Sequence, residues 1–151
     1  MVLVLLTTTS AVITFVTKLE EETANVYQRL AREYPEGRNA FLSFSQENLK
    51  NKTRVERTYY SVISDALEAC FSFGDGVVTD AYATKMGLDA NTHYSDVLKG
   101  VLRMEETFIK LYVDLATLAK GLMADIPRVF ILIARKREAR ITSLRTLAEG
   151  L

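Results

Sequence analysis

Three features of the 151 residues predict an all-helical chain built as four helices in two hairpins. Only seven glycines and two prolines punctuate it, so elements run long and unbroken. Apolar residues recur at i, i+3, i+4 and i+7 over four extended stretches, the period of one helical face. The first and third stretches also match each other at a constant spacing of 85 residues, which makes the second hairpin a copy of the first.

Composition narrows the class. Apolar residues are 48% and charged residues 25%, ordinary for a globular chain, and the length suits one domain spanning 1–151. Nineteen basic residues balance nineteen acidic ones, leaving no overall field to draw nucleic acid or an anionic membrane. The lone Cys70 rules out an intrachain disulfide and fits a reducing, cytoplasmic setting.

The N-terminus, MVLVLLTTTSAVITFV, is uncharged before Lys18 but has no basic leader, and Thr7 to Ser10 interrupt its apolar run. The run is also short of the roughly 18–20 residues that a membrane-spanning helix needs. Residues 1–9 read as an arm in which Met1 to Leu6 pack on the core or on another subunit, with a hydroxyl from Thr7 to Ser10 capping the first helix.

That helix runs from about Ser10 to Tyr34, with Val12, Val16, Glu20, Ala24, Tyr27 and Ala31 on its inner line, and Pro35 and Gly37 end it. The second starts near Glu36 to Asn39 and continues to about Cys70; its inner line is Phe41, Phe44, Glu47 or Asn48, Asn51, Val55 and Tyr59. Periodicity then fails over residues 72–95, a connection long enough to travel the length of a bundle, with Asp80 to Met86 able to form a short helix. The third helix follows from an N-cap at Ser95 or Asp96 to about Gly121. The fourth runs from Pro127, a favoured first helical residue, to about Ala148.

Polar residues stand where these stripes should be apolar. Glu105 lies between Leu102 and Phe108, Glu20 occupies the matching place in the first helix, and Arg137 and Arg140 fall on the inner line of the fourth. A carboxylate in such a stripe needs a cation, a metal, a donor or a proton.

The 85-residue match pairs Leu19-Glu20-Glu21 with Met104-Glu105-Glu106, and Tyr27 with Tyr112. The second and fourth helices match at 89, Phe41 with Phe130 and Ser45 with Ala134. The Glu-x6-Tyr spacing, the duplicated hairpins and the long connection resemble the ferritin-like superfamily, particularly its rubrerythrin-type members, over residues 10–148. The resemblance implies a four-helix bundle of two hairpins joined by a long crossover. It also implies a glutamate from helices 1 and 3, a Glu-x-x-His from helices 2 and 4, and two irons serving peroxide reduction, iron handling or oxygen activation.

Position by position, the chain supplies Glu20 and Glu105. Helix 2 offers Glu47, followed three residues later by Lys50 rather than histidine. Helix 4 offers Arg137 with Arg140 or, in a register one residue along, Glu138 with Ile141. The single histidine, His93, lies in the connection, so the chain is a degenerate member lacking both histidine ligands.

Two functional readings follow. In the preferred one, Glu20, Glu47 and Glu105 face Lys50, Arg137 and Arg140 in an inner ion-pair cluster beside the core tyrosines Tyr27 and Tyr112. The protein is then a non-catalytic scaffold or assembly module without cofactor, expected as a homodimer. In the alternative, Glu20, Glu47, Glu105 and Glu138 form a carboxylate-only Fe or Mn site with oxidase, peroxidase or iron-handling activity.

Overall fold

The computed structural model of the chain describes residues 5–62, 72–78, 92–119, 121 and 124–150. A hydroxyl starts the first helix, as the sequence predicts. Thr8 Oγ1 accepts the Ala11 N–H at 3.1 Å and caps α1, Thr9–Glu33. The helix closes where the Tyr34 N–H donates to the Leu30 carbonyl at 2.9 Å, and Arg38 Nε satisfies the Ala31 carbonyl at 3.0 Å.

Pro35–Gly37 then turn the chain in a 3₁₀ turn, and α2, Arg38–Val62, returns along α1. Gly37 is needed there for close approach: a Cβ would lie 2.6 Å from the Phe41 ring and 2.9 Å from the Tyr94 hydroxyl. Ser45 Oγ donates to the Ala24 carbonyl at 3.0 Å, fixing the level of the two helices.

The second hairpin repeats the design with α3, Tyr94–Leu118, and α4, Asp125–Glu149. α1 packs on α2 and α3 on α4, and between hairpins α2 packs against α4. Val12, Val16 and Leu30, Phe41 and Val55, Val101, Leu111 and Leu115, and Phe130, Ile133 and Leu144 meet in one core. The Tyr34 hydroxyl donates to the Thr92 carbonyl at 2.8 Å and its ring stacks on Tyr94, tying the first turn to the entry of α3. None of the described helices is long and apolar enough to cross a membrane.

Several expectations are corrected. Beside the four helices that the sequence predicts, a short ribbon forms: β1, Leu5–Thr8, pairs antiparallel with β2, Ser72–Val78, with Leu5 opposite Val78, Leu6 opposite Val77, and a bulge before Thr8 meets Ser72. Arm and connection thus hold each other through backbone hydrogen bonds, which carry no helical period and so leave no periodic trace. Leu6 still packs against the core, as expected of the arm.

α3 begins one residue before Ser95, and His93 takes the N-cap position without a side-chain bond, because the Asp96 and Val97 amides already donate to its carbonyl. Pro127 falls at the third position of α4 rather than the first. The expected continuation of the second helix to Cys70, the short helix at Asp80 to Met86, and residues 1–4 lie outside the described residues.

Candidate functional site

The glutamate and tyrosine of α1 and of α3 stand about two helical turns apart, the two arginines of α4 about one, and the bundle brings them together. Glu20 and Tyr27 project from α1, Glu105 and Tyr112 from α3, Arg137 and Arg140 from α4, and all six are at most 2% exposed. Arg137 bridges the two acids, with Nη1 2.7 Å from Glu105 Oε2 and Nη2 2.9 Å from Glu20 Oε1. Arg140 places Nη1 2.9 Å from Glu105 Oε1 and Nε 3.0 Å from Glu47 Oε1, while Nη2 donates to Asn48 Oδ1 at 2.5 Å and to the Phe44 carbonyl at 3.3 Å. The tyrosines cross between the hairpins: Tyr27 of α1 donates to Glu105 of α3, and Tyr112 of α3 donates to Glu20 of α1.

Two carboxylates and two guanidiniums therefore share the interior without net charge, and Glu47, with its side chain 30% exposed, joins them at the margin. Each guanidinium also lies over aromatic faces, Arg137 over Phe108 at 5.1 Å and Arg140 over Phe44 at 5.2 Å.

Burial is the largest influence on the Glu105 carboxyl and pushes it up. Arg137, Arg140 and the Tyr27 hydroxyl together outweigh it and hold the group below the usual carboxylate range. Burial, reinforced by Glu105 and Glu20 respectively, raises Tyr27 and Tyr112 well above the ordinary phenol range. Burial lowers the two guanidiniums, but the carboxylates beside them reverse that and leave both raised. Glu105 and the two arginines are thus held charged and the two phenols neutral across the physiological range.

The structure brings together Glu20, Glu105, Arg137, Arg140, Tyr27 and Tyr112, with Glu47 at the edge. It does not bring in Lys50 or Glu138. Lys50 is exposed on the outer side of α2 beside Leu49 and Arg54, two residues from the inner line that carries Asn48. Glu138 is exposed because Arg137 takes the inward position of α4, which turns its neighbour by about 100°. The four-carboxylate set of Glu20, Glu47, Glu105 and Glu138 is therefore not assembled, and among the described residues no group of three or more His, Cys, Asp or Glu side chains could hold a metal ion. His93 is exposed at the start of α3.

The cluster also contains one member not assigned to it from sequence, Asn48, and Asn51 lies one turn further along α2; both are fully buried. The signal was present: at the 89-residue spacing they are the counterparts of Arg137 and Arg140. Asn51 Oδ1 accepts from Arg54 at 2.8 Å, as Asn48 Oδ1 does from Arg140, so arginine donors fix the orientation of both amides.

No protein-family model matches the chain, and neither a curated protein nor a solved structure matches it significantly. Fold and site together define a helical bundle of two equivalent hairpins closed around a neutral, buried arginine–carboxylate–tyrosine network.

Proposed function

We propose that this protein is a ferritin-like bundle, its hairpins joined by a crossover over residues 72–95, in which arginine side chains have taken the place of a metal pair. It serves as a non-catalytic scaffold or assembly module, acting as a homodimer. The observation that carries the reading is the set of six inner polar positions, Glu20, Asn48, Asn51, Glu105, Arg137 and Arg140. One residue from each of two helices, and an i, i+3 pair from each of the other two, is the arrangement that di-iron carboxylate bundles fill with four glutamates and two histidines. Here the i, i+3 pairs are Asn-x-x-Asn and Arg-x-x-Arg.

That donor set does not fit a metal. Two permanent cations bond directly to the carboxylates that would be ligands, and amides fixed by arginine donors stand where anionic or imidazole ligands belong. A carboxylate-only Fe or Mn centre needs Glu138, whose exposure counts against it. Elemental analysis of protein purified without chelator tests the reading: metal far below stoichiometry is expected, and about two equivalents of Fe or Mn per chain would overturn it.

A further inference from the structure

Acidic and basic residues are equal in number over the chain, yet three grooves on its described surface are lined by cations and by no carboxylate, and one of them is mostly apolar. The largest, of about 560 Å³, lies between the last turns of α3 and the first turns of α4. Ala116, Pro127, Ile131 and Leu132 make its apolar lining, and Arg128 and Arg135 contribute the charge. Arg128 has only a loose 3.7 Å contact with the exposed Asp125, and Arg135 has no ion pair among the described residues. The groove recurs on the first hairpin, where Ala31 and Leu42 are the counterparts of Ala116 and Ile131 and the cations are Arg32 and Arg38. A third lies along α2, with Leu49 beside Lys50, Arg54 and Arg57. Leu42, Leu49 and Leu132, one in each groove, are 41%, 45% and 43% exposed.

We propose that the α3–α4 groove is a docking site for an acidic amphipathic helix of a partner protein. Charge complementarity selects the occupant: one loosely paired guanidinium, Arg128, and one without an ion pair among the described residues, Arg135, beside exposed aliphatic side chains attract an apolar face rimmed by carboxylates. Arg128 and Arg135 stand two helical turns apart, about 10 Å along α4. A helix with acids seven residues apart and apolar residues three and four places between them meets both arginines while its apolar side chains reach Ile131 and Leu132. The small side chain of Ala116 lets a third helix approach closely. The trough is open to solvent, which suits a helix more than an acyl chain, whose binding calls for near-complete enclosure. A second copy is disfavoured because two such faces laid together oppose guanidinium to guanidinium.

The proposal rests on the scaffold reading and names the class of its partner. The test is fluorescence anisotropy with a labelled helical peptide of about 21 residues carrying two glutamates seven apart and leucines between them, beside its lysine-for-glutamate counterpart. Saturable binding of the glutamate peptide is expected, weakening as salt rises from about 50 to 500 mM. R128E/R135E should weaken it at least about tenfold and shift preference to the lysine peptide, and Leu132→Asp should weaken both peptides, with helicity and Tm of these surface variants unchanged.

Absence of saturable binding overturns the proposal, as does binding indifferent to R128E/R135E. Two further outcomes overturn it by naming another occupant: R128E/R135E-sensitive binding to anionic phospholipid vesicles without peptide binding, or self-association abolished by the same variant. Metal-free protein that ignores the peptide defeats the docking site alone, whereas two equivalents of iron defeat the scaffold reading whatever the peptide does.

Discussion

Removing two facing partners from the interior network should cost less than the two single losses added together. Glu105 holds Arg137, Arg140 and the Tyr27 hydroxyl, so Glu105→Gln leaves two buried guanidiniums facing the one fully buried acid, Glu20. Arg137→Met has the opposite fault: Glu105 keeps Arg140, but Glu20 loses its guanidinium and keeps only the Tyr112 hydroxyl. Each change strands a charge in the buried interior, which costs about 3–5 kcal/mol. In a chain of this size that lowers the melting temperature by roughly 6–20 °C. The double variant restores balance, one acid against one guanidinium, so its loss should fall short of the sum by about 2–3 kcal/mol. Urea titrations of the four proteins followed by helical circular dichroism measure the cycle, with the slope checking that the unfolding transition is unchanged. Losses that add to within about 0.5 kcal/mol, or a Glu105→Gln protein as stable as the parent, would refute the reasoning.

Alkali should destabilise the protein through its buried phenols. Tyr27 and Tyr112 are held protonated well above their ordinary range by burial and by the acids beside them, so this stability is complete below about pH 10 and declines as pH rises towards the folded values. The decline is about 1.4 kcal/mol per pH unit for each tyrosine, and urea midpoints between about pH 9 and 11 should flatten in the Tyr27→Phe/Tyr112→Phe protein. Acid acts through Glu105, which burial raises but the arginines lower further. Its stabilisation is present above the unfolded carboxylate value of about 4.3 and lost as pH falls through the lower folded value, a dependence Glu105→Gln should lack. Gly37→Ala should cost about 1–3 kcal/mol in thermal denaturation, because the added methyl meets the buried Phe41 ring, which has nowhere to move.

Residues with a helical period declared themselves in the sequence; those held by backbone pairing or by their neighbours did not. Four helices, the turn at Pro35 and Gly37, and the inward set of Glu20, Tyr27, Glu105, Tyr112, Arg137 and Arg140 follow from spacing, since a side chain one turn from a buried one shares its face. The β1–β2 ribbon was illegible because its strands are far apart in sequence, and SFGDGVV carries turn-type residues within a strand. Glu47 reaches the cluster from its edge, but Lys50 misled because its i, i+3 spacing from Glu47 also satisfies a helical face. The apolar line through Phe41, Phe44 and Val55 already runs through Asn51, and the 89-residue match to Arg137 and Arg140 selects Asn48 over Glu47. Spacing decides which residues share a side of a helix, and packing decides which side turns in.

The exchange of tyrosines between halves bears on how this chain can vary and how it comes apart. Each half carries an acid whose phenolic donor was encoded in the other, so a single hairpin made alone would bury an unanswered charge or remain open. The repeat units of a solenoid melt piecemeal, but these two should unfold in one event. Outer positions of the two halves can differ freely, whereas a change at an inner position must be met by a matching change across the bundle.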